Sequence, residues 1–132
     1  MKEIIKESLK NSYSYNEYRA LVSKLLSENK STTQNGNLEL VEYSKLNDSR
    51  MKRLDKTTKL NERAINKFKG FNTPQTWLVI SEGWCGDAAQ ISPVINKMSL
   101  EKQRIQDKIE IVGEFKHIQV RYADQIIEDG KI

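Results

Sequence analysis

The sequence predicts an α/β fold that follows an all-helical N-terminal part. An apolar run from Trp77 to Ile80, rich in aromatic and β-branched residues, is typical of a strand buried on both faces. A turn that contains Gly83 follows this run, and residues 91–98 then carry apolar side chains at helical spacing. The first 70 residues show only helical patterns, so strand and helix alternate in the second half alone.

The N-terminal part is predicted to begin with a pair of helices. Residues 2–11 have the apolar spacing of a short amphipathic helix. Ser14 and Glu17 form a capping-box pattern, in which each side chain satisfies an exposed backbone donor of the other residue. The turn-forming residues 31–37 then end the second helix. The apolar stripe of this pair has to pack against another part of the chain.

Two more helices are predicted before the central strand. The third covers about residues 38–57, and the fourth covers about residues 61–69 and ends at Gly70, a common C-cap residue. Three apolar side chains of the third helix are expected to face the core: Tyr43, Leu46 and Leu54. After the central helix, residues 109–112 are predicted to form a second strand. Strand, helix and strand then predict a right-handed parallel crossover.

The last residues are harder to place. Residues 117–122 alternate like a strand, and residues 128–131 have the pattern of a hairpin turn, but only Ile132 follows that turn. Residues 98–101 also read like the start of a protein. One hypothesis is that an unrelated and truncated segment follows residue 98. The predicted divisions are a helical part at 1–70, a strand–helix–strand unit at 71–113 and a β-rich tail at 114–132.

Length and composition limit the classes of protein. The 132 residues predict one domain, with 30% charged and 37% hydrophobic residues. No apolar run is long enough for a membrane span, and the first residues lack the apolar region of a signal peptide. A single cysteine excludes an internal disulfide. We therefore expect a cytoplasmic protein that does not associate with membranes.

Positive charge is concentrated in residues 44–69. This basic segment has nine Lys or Arg residues against three acids, so it carries +6 while the rest of the chain sums to −2. Such a segment can bind nucleic acid or another anionic partner. A solvated helix face is the favoured interpretation, because neither interleaved aromatic residues nor a nucleic-acid motif accompanies the charge. Nucleic acid is therefore not an expected partner.

The single cysteine, Cys85, lies where the predicted strand passes into the predicted helix. The N-terminus of a helix has unpaired N–H groups and a dipole that favour a negative charge there. Because the dipole contributes only about 0.3–1 kcal/mol, the position predicts a mildly activated thiol. One cysteine and one histidine, His117, cannot complete a four-ligand zinc site without several carboxylates, so no metal is expected.

Cys85 lies in the stretch Trp84-Cys85-Gly86-Asp87-Ala88, and Pro93 follows eight residues after the cysteine. This stretch resembles the active-site segment of the thioredoxin family, which Trp84, Cys85, Gly86 and Pro93 match in identity and spacing. The resemblance covers about residues 1–98 and is closest to a bacterial subgroup with a helical N-terminal extension. It implies a thioredoxin-like fold in which Cys85 is catalytic. The residues that shape the site are then Trp84, Gly86, Asp87, Ala88 and Pro93.

Three departures from the family pattern limit what the resemblance implies. The second, resolving cysteine of the family falls at Ala88, and its buried acid falls at Val79. The strand with the family's cis-proline has no counterpart, because the only prolines are Pro74 and Pro93. The expected fold is therefore a partial thioredoxin-like fold that lacks the cis-proline strand. The two-thiol mechanism of the family is not expected.

The resemblance implies thiol–disulfide chemistry through a mixed disulfide at Cys85. Protein thiols or small thiols and disulfides are the expected partners, and no cofactor is needed. Three alternatives remain open: a structural cysteine buried at the corner, a non-catalytic binding module that uses the basic segment or the family's substrate groove, and a truncated product without activity. The substrate, the electron donor and the oligomeric state are not indicated by the sequence.

Overall fold

The computed structural model describes residues 3–33, 38–70, 75–108 and 118–123. These residues form five helices and two strands. In chain order the elements are α1 (Glu3–Lys10), α2 (Tyr15–Ser27), α3 (Leu38–Thr57), α4 (Glu62–Lys69), β1 (Gln75–Ile80), α5 (Gly86–Lys108) and β2 (Ile118–Ala123). The predicted helical N-terminal part and the α/β second half are both confirmed. The predicted divisions at residues 70 and 113 stay predictions.

Local capping explains where several helices begin and end. The predicted cap of α2 is confirmed, because Ser14 Oγ accepts a hydrogen bond of 3.2 Å from the N–H of Glu17. Asn61 Oδ1 accepts a hydrogen bond of 2.9 Å from the N–H of Ala64 and caps α4 in the same way. The predicted end of α4 at Gly70 is also confirmed. None of the described helices is long and apolar enough to cross a membrane.

The strands before and after the long helix α5 pair with each other in parallel. Gln75 is opposite Ile118, and the register continues to Ile80 opposite Ala123. A parallel strand–helix–strand arrangement is present, but its second strand is the one predicted near residues 117–122, which is confirmed, and not the one predicted at 109–112. The strand predicted at 109–112 and the hairpin turn predicted at 128–131 lie outside the described residues. The strand of the tail therefore serves as the partner of the central strand.

The chain just before α2 pairs with the other side of β2. The N–H of Tyr13 donates to the carbonyl of Tyr122 over 2.7 Å, and the N–H of Tyr122 donates back over 2.8 Å, as an antiparallel bridge. Arg121 strengthens this contact, because its Nε donates to Ser12 Oγ over 3.0 Å and its Nη2 donates to the Ser12 carbonyl over 2.8 Å. The N-terminal segment and β2 are therefore joined through backbone and side chain.

The hydrophobic core is built around tyrosines from distant parts of the chain. The Tyr122 ring stacks on Tyr18, with centroids 5.6 Å apart, and is tilted against Tyr15 at 5.3 Å. The other buried members of the core cluster are Val22, Met51 and Ala89. Helices α2, α3 and α5 and strand β2 each contribute to it. Stacked and tilted aromatic pairs of this kind add about 0.5–1.5 kcal/mol beyond the area that they bury.

The predicted inward face of α3 is wrong. Tyr43 is 50% exposed and Leu46 is 48% exposed, while Leu54 is half-buried. The side chains that α3 buries are instead Val41, Ser44, Asn47, Asp48 and Met51. Three of these five are polar: Asn47 and Asp48 bond to groups of other segments, and the Ser44 hydroxyl donates to the carbonyl of Leu40 in its own helix. Polar residues can occupy buried positions when such partners are present.

Two other predicted faces are more exposed than expected. The strand β1 is not buried on both faces, because its last residue, Ile80, is 52% exposed. On α5, Ile91 is 54% exposed, although it belonged to the predicted apolar face. The residues of α5 that are buried include Ala89 and Ser92. The two-stranded sheet of the described residues covers only part of α5. The buried face of α5 is therefore narrower than the sequence pattern indicates.

A mostly buried polar cluster joins α2 to α3. Arg19 Nη1 forms an ion pair of 2.6 Å with Asp48, and Arg19 Nε lies 3.7 Å from Asp55. The hydroxyl of Tyr15 donates to Asp55 over 2.6 Å. Lys52 reaches Asp48 from the solvent side at 3.2 Å. Two of the three acids of the basic segment are therefore turned towards the interior.

Burial of the tyrosines predicts a loss of stability in alkali. Burial and the hydrogen bond to Asp55 raise the pKa of Tyr15 far above its usual value, and burial chiefly raises the pKa of Tyr122. In the unfolded chain these hydroxyls ionise near pH ~10, whereas in the folded chain they stay protonated to higher pH. We expect the free energy of unfolding to fall above pH ~10, by up to about 1.4 kcal/mol per pH unit for each tyrosine. Denaturation by urea at several pH values measures this slope.

The variant Tyr15→Phe should flatten the alkaline slope, because the raised pKa of its hydroxyl is removed. Tyr43→Phe, at an exposed tyrosine outside the cluster, is the matched control and should keep the slope. Lys102 has the opposite effect on the pH dependence of stability. Burial lowers the pKa of its amine, so the folded chain loses this proton at a lower pH than the unfolded chain, and the free energy of unfolding rises with pH in that range. A slope in Tyr15→Phe equal to that of the unmodified chain would contradict this prediction.

Candidate functional site

Cys85 lies in the turn that joins β1 to α5. Its N–H donates to the carbonyl of Glu82 over 3.0 Å, which closes the turn, and its carbonyl accepts the N–H of Ala89 over 3.1 Å at the start of the helix. The cysteine therefore immediately precedes the first turn of α5, as predicted. Its side chain is half-buried, so part of it is in contact with solvent. A thiol in this position faces the favourable end of the helix dipole.

The other predicted site residues flank the cysteine on both sides. Trp84 is 37% exposed, and its indole Nε1 donates to Thr33 Oγ1 over 2.7 Å. Asp87 is exposed in the first turn of α5, and Ala88 is half-buried one position later. Pro93 lies inside α5 and is almost completely buried. Because proline has no N–H, this position cannot donate to the carbonyl four residues earlier.

Helix α3 supports the turn from one side. The amide of Asn47 donates to the carbonyl of Gly83 over 3.1 Å, and Arg50 Nη1 donates to Asn47 Oδ1 over 3.1 Å. The same Arg50 nitrogen lies 3.6 Å from the point where a side chain on Gly86 would begin. A guanidinium group is thus placed beside Gly86, the residue that follows Cys85. In the sequence, Arg50 is only one cation of the basic segment.

The loop after α2 supports the turn from a second side, a contact that no pattern in the sequence predicts. The hydroxyl of Thr32 accepts the N–H of Gly83 over 3.0 Å and also donates to Glu82 Oε2. Thr33 Oγ1 donates to the same carboxylate oxygen over 3.1 Å. The two threonines lie in a segment whose composition indicates only a turn, so no local pattern marks them as part of the site.

The end of β1 is also fixed by a side chain from α2. Ser81, which is buried, shares a hydrogen bond of 2.9 Å with the hydroxyl of Tyr18. Within the described ranges, no three His, Cys, Asp or Glu side chains lie close enough together to hold a metal ion. The groups on the turn around Cys85 include the indole of Trp84, the carboxylates of Glu82 and Asp87, the guanidinium of Arg50 beside Gly86, and the backbone of a helix start. His117 lies outside the described residues.

The fold and the site together define a class of protein. A strand leads through Trp84-Cys85-Gly86 into a long helix that contains a proline, and a second parallel strand follows, as in thioredoxin-like α/β proteins. A family model described as thioredoxin matches residues 33–129, which is well over half of the chain. This chain therefore belongs to the thioredoxin family. Comparisons with curated proteins and with solved structures give no match.

The extent of the family match differs from the resemblance seen in the sequence. The resemblance covered about residues 1–98, whereas the family model begins at residue 33 and continues to residue 129. The match thus includes α3, α4 and the segment of β2, and it does not include α1 or α2. The two threonines of the supporting loop lie at the boundary, with Thr33 as the first matched residue.

Proposed function

We propose that Cys85 carries out thiol–disulfide exchange through a mixed disulfide, without a resolving cysteine in its own chain. The observation that carries this proposal is the half-buried thiol immediately before the first turn of α5, in a chain of the thioredoxin family. Ala88 occupies the position of the family's second thiol, so a mixed disulfide at Cys85 has no internal route to release. Substrates are protein disulfides or small disulfides in a reducing compartment such as the cytoplasm.

The proposed exchange has two steps that balance in atoms and electrons. The Cys85 thiolate attacks one sulfur of the substrate disulfide, so a bond between Cys85 and that sulfur forms and the substrate bond breaks. The departing thiolate takes up the proton that Cys85 gave to solvent. An external thiol then attacks the mixed disulfide, forms a new disulfide with the bound half of the substrate, and returns Cys85 to its thiol form.

Two features near Cys85 favour a disulfide that carries negative charge, whereas the exposed carboxylate of Asp87 opposes it. The guanidinium of Arg50 lies beside Gly86, and the first turn of α5 contributes the positive end of its dipole. Glutathione disulfide, whose carboxylates are negative at neutral pH, is therefore a suitable probe. Trp84 adds an exposed aromatic surface next to the thiol.

The experiment that tests the proposal follows the mass of the protein during incubation with glutathione disulfide. We expect one glutathione per chain, removed by added reduced glutathione, and no adduct on Cys85→Ser. Thermal unfolding of Cys85→Ser, measured in parallel, shows whether the variant is folded. A native protein that forms no adduct, while the urea-unfolded chain does, would contradict the proposal and favour a buried structural cysteine.

A gain of a second thiol tests the mechanism more sharply. The variant Ala88→Cys places a thiol three residues after Cys85 on the first turn of the helix, within the reach of a disulfide. We expect this variant to release glutathione and form an internal disulfide, so that the adduct does not accumulate. The matched control is Gln90→Cys, an exposed position on the same helix that lies five residues from Cys85. Accumulation of the same adduct at Cys85 in both variants would contradict the proposed route of release.

A non-catalytic binding module remains the second candidate function. One observation favours it: Tyr43, just before the basic segment, and Leu46, within it, are exposed on α3 about two turns and one turn before Arg50. An aromatic and an apolar side chain among cations suit a partner that has both acidic and apolar groups. Cys85→Ser separates the two functions, because it removes disulfide exchange and leaves such binding unchanged.

A further inference from the structure

The hydroxyl of Thr33 connects two groups of the site that the backbone of the turn does not connect. It donates to Glu82 Oε2 over 3.1 Å and accepts the indole N–H of Trp84 over 2.7 Å. The carboxylate, the hydroxyl and the indole therefore form a continuous chain of hydrogen bonds. Its two ends belong to residues of the Cys85 turn, whereas its centre belongs to the loop after α2.

Thr32 has a different part in the same loop. Its hydroxyl accepts the backbone N–H of Gly83 over 3.0 Å and donates to Glu82. It is also buried, whereas Thr33 is only half-buried. Thr32 thus holds the backbone of the turn and contributes to the stability of the fold. Thr33 instead contacts the side chain that lies directly before the cysteine.

An indole as exposed as that of Trp84 needs a specific contact to keep one orientation. Trp84 as a residue is 37% exposed, so packing restrains its side chain only in part. The hydrogen bond to Thr33 fixes the ring edge, and the bond from Thr33 to Glu82 fixes the hydroxyl that accepts it. Loss of the hydroxyl would let the indole rotate away from the thiol or across it.

We propose that Thr33 is a positioning residue of the Cys85 site, which holds the indole of Trp84 in the orientation that leaves the thiol open to a disulfide. This inference rests on the proposed function of Cys85. Thr33 acts through Trp84 and Glu82 and does not touch the reacting atoms. The loop after α2 is thereby part of the site, although nothing in its own sequence indicates chemistry.

The first test reads the indole directly. In a Trp77→Phe background, Trp84 is the only tryptophan, so its fluorescence reports its surroundings alone. We expect Thr33→Val to shift the emission to longer wavelength and to increase quenching by acrylamide, because the ring loses its partner and gains contact with water. Thr33→Ser keeps a hydroxyl and should restore both values. Thr57→Val is the matched control, since that threonine bonds only within α3, to the carbonyl of Arg53.

The second test measures the rate of mixed-disulfide formation with glutathione disulfide. Loss of one hydrogen bond of this kind should lower the rate about twofold to tenfold in Thr33→Val, because the competent orientation is populated for a smaller fraction of the time. The Thr33→Ser and Thr57→Val variants should react like the unmodified chain. Thermal unfolding of every variant separates a change of orientation from a loss of folding.

The outcomes distinguish this inference from the proposed function. If the unmodified chain forms no adduct, the proposed function fails, and the emission of Trp84 alone decides whether Thr33 orients the indole. If the adduct forms at equal rates in the unmodified chain and in Thr33→Val, and the emission is unchanged, the positioning role is wrong while the proposed function stands. A slower rate and a shifted emission in Thr33→Val, both restored in Thr33→Ser, support it.

Discussion

Replacing Tyr122 with alanine is expected to lower the free energy of unfolding by about 3–5 kcal/mol, as for other large aromatic side chains removed from a core. The Tyr122 side chain is 0% exposed and contacts the rings of Tyr15 and Tyr18. Its truncation leaves a cavity where α2, α5 and β2 meet. A domain of this size has only about 5–15 kcal/mol to lose, so much of the chain should be unfolded at moderate temperature. Unfolding by urea, followed by circular dichroism, measures the change.

The control for this prediction is an exposed tyrosine. Tyr43→Ala removes the same atoms from a side chain that is half exposed, and it should change stability by no more than about 0.5 kcal/mol. The comparison also tests whether the tail belongs to the folded unit. If Tyr122→Ala unfolds at the same urea concentration as the unmodified chain, β2 does not contribute to the core. The tail would then be dispensable for folding, although the family model includes it.

The second large effect is expected at Arg19. Arg19→Met keeps the length and apolar stem of the side chain but leaves Asp48 and Asp55 without the guanidinium that pairs with both. Breaking a buried pair costs about 3–5 kcal/mol, and Lys52 still contacts Asp48 from the solvent side. We therefore expect a loss of about 2–4 kcal/mol in the free energy of unfolding. Urea denaturation measures this value as well.

A double-mutant cycle shows whether the loss of stability in Arg19→Met comes from the unpaired carboxylate of Asp48. Adding Asp48→Asn to Arg19→Met should recover part of the stability, because the unpaired charge is removed. The matched surface pair is Lys45 with Glu42, whose charged atoms lie 3.0 Å apart on the exposed side of α3. Glu42→Gln should cost less than about 1 kcal/mol, since exposed pairs contribute little. Equal losses in Arg19→Met and Glu42→Gln would contradict the importance of the buried cluster.

Much of the helical part could be predicted because its signals are local. The cap at Ser14 and the stop at Gly70 depend on residues within one turn of the helix end. The inward face of α3 could not be predicted in this way. Its buried Ser44 and Asn47 are polar, and the amide N–H of Asn47 donates to the carbonyl of Gly83, which comes from a distant segment. A hydrophobic pattern counts such residues as surface.

The same distinction between local signals and contacts with distant segments applies to the candidate site. Cys85 and Trp84 were predicted because strand, turn and helix are adjacent in the sequence and resemble a known family segment. Thr33 was not predicted, because its contact with Trp84 spans 51 residues. The same is true of Arg50, which approaches Gly86 only after α3 has packed beside α5. Contacts between distant segments depend on the packing of whole elements, which no single stretch of sequence contains.

The hydrogen-bonded contact between the N-terminal segment and β2 affects how the chain folds during its synthesis. Arg121 bonds to Ser12 across 109 residues, and Tyr13 pairs with Tyr122 beside it. Folding that closes such a long loop is slow compared with the formation of local helices. On the ribosome, α1, α2 and α3 leave the exit tunnel before β2. The surface of α2 that Tyr122 covers in the folded chain therefore stays exposed until β2 has been synthesised.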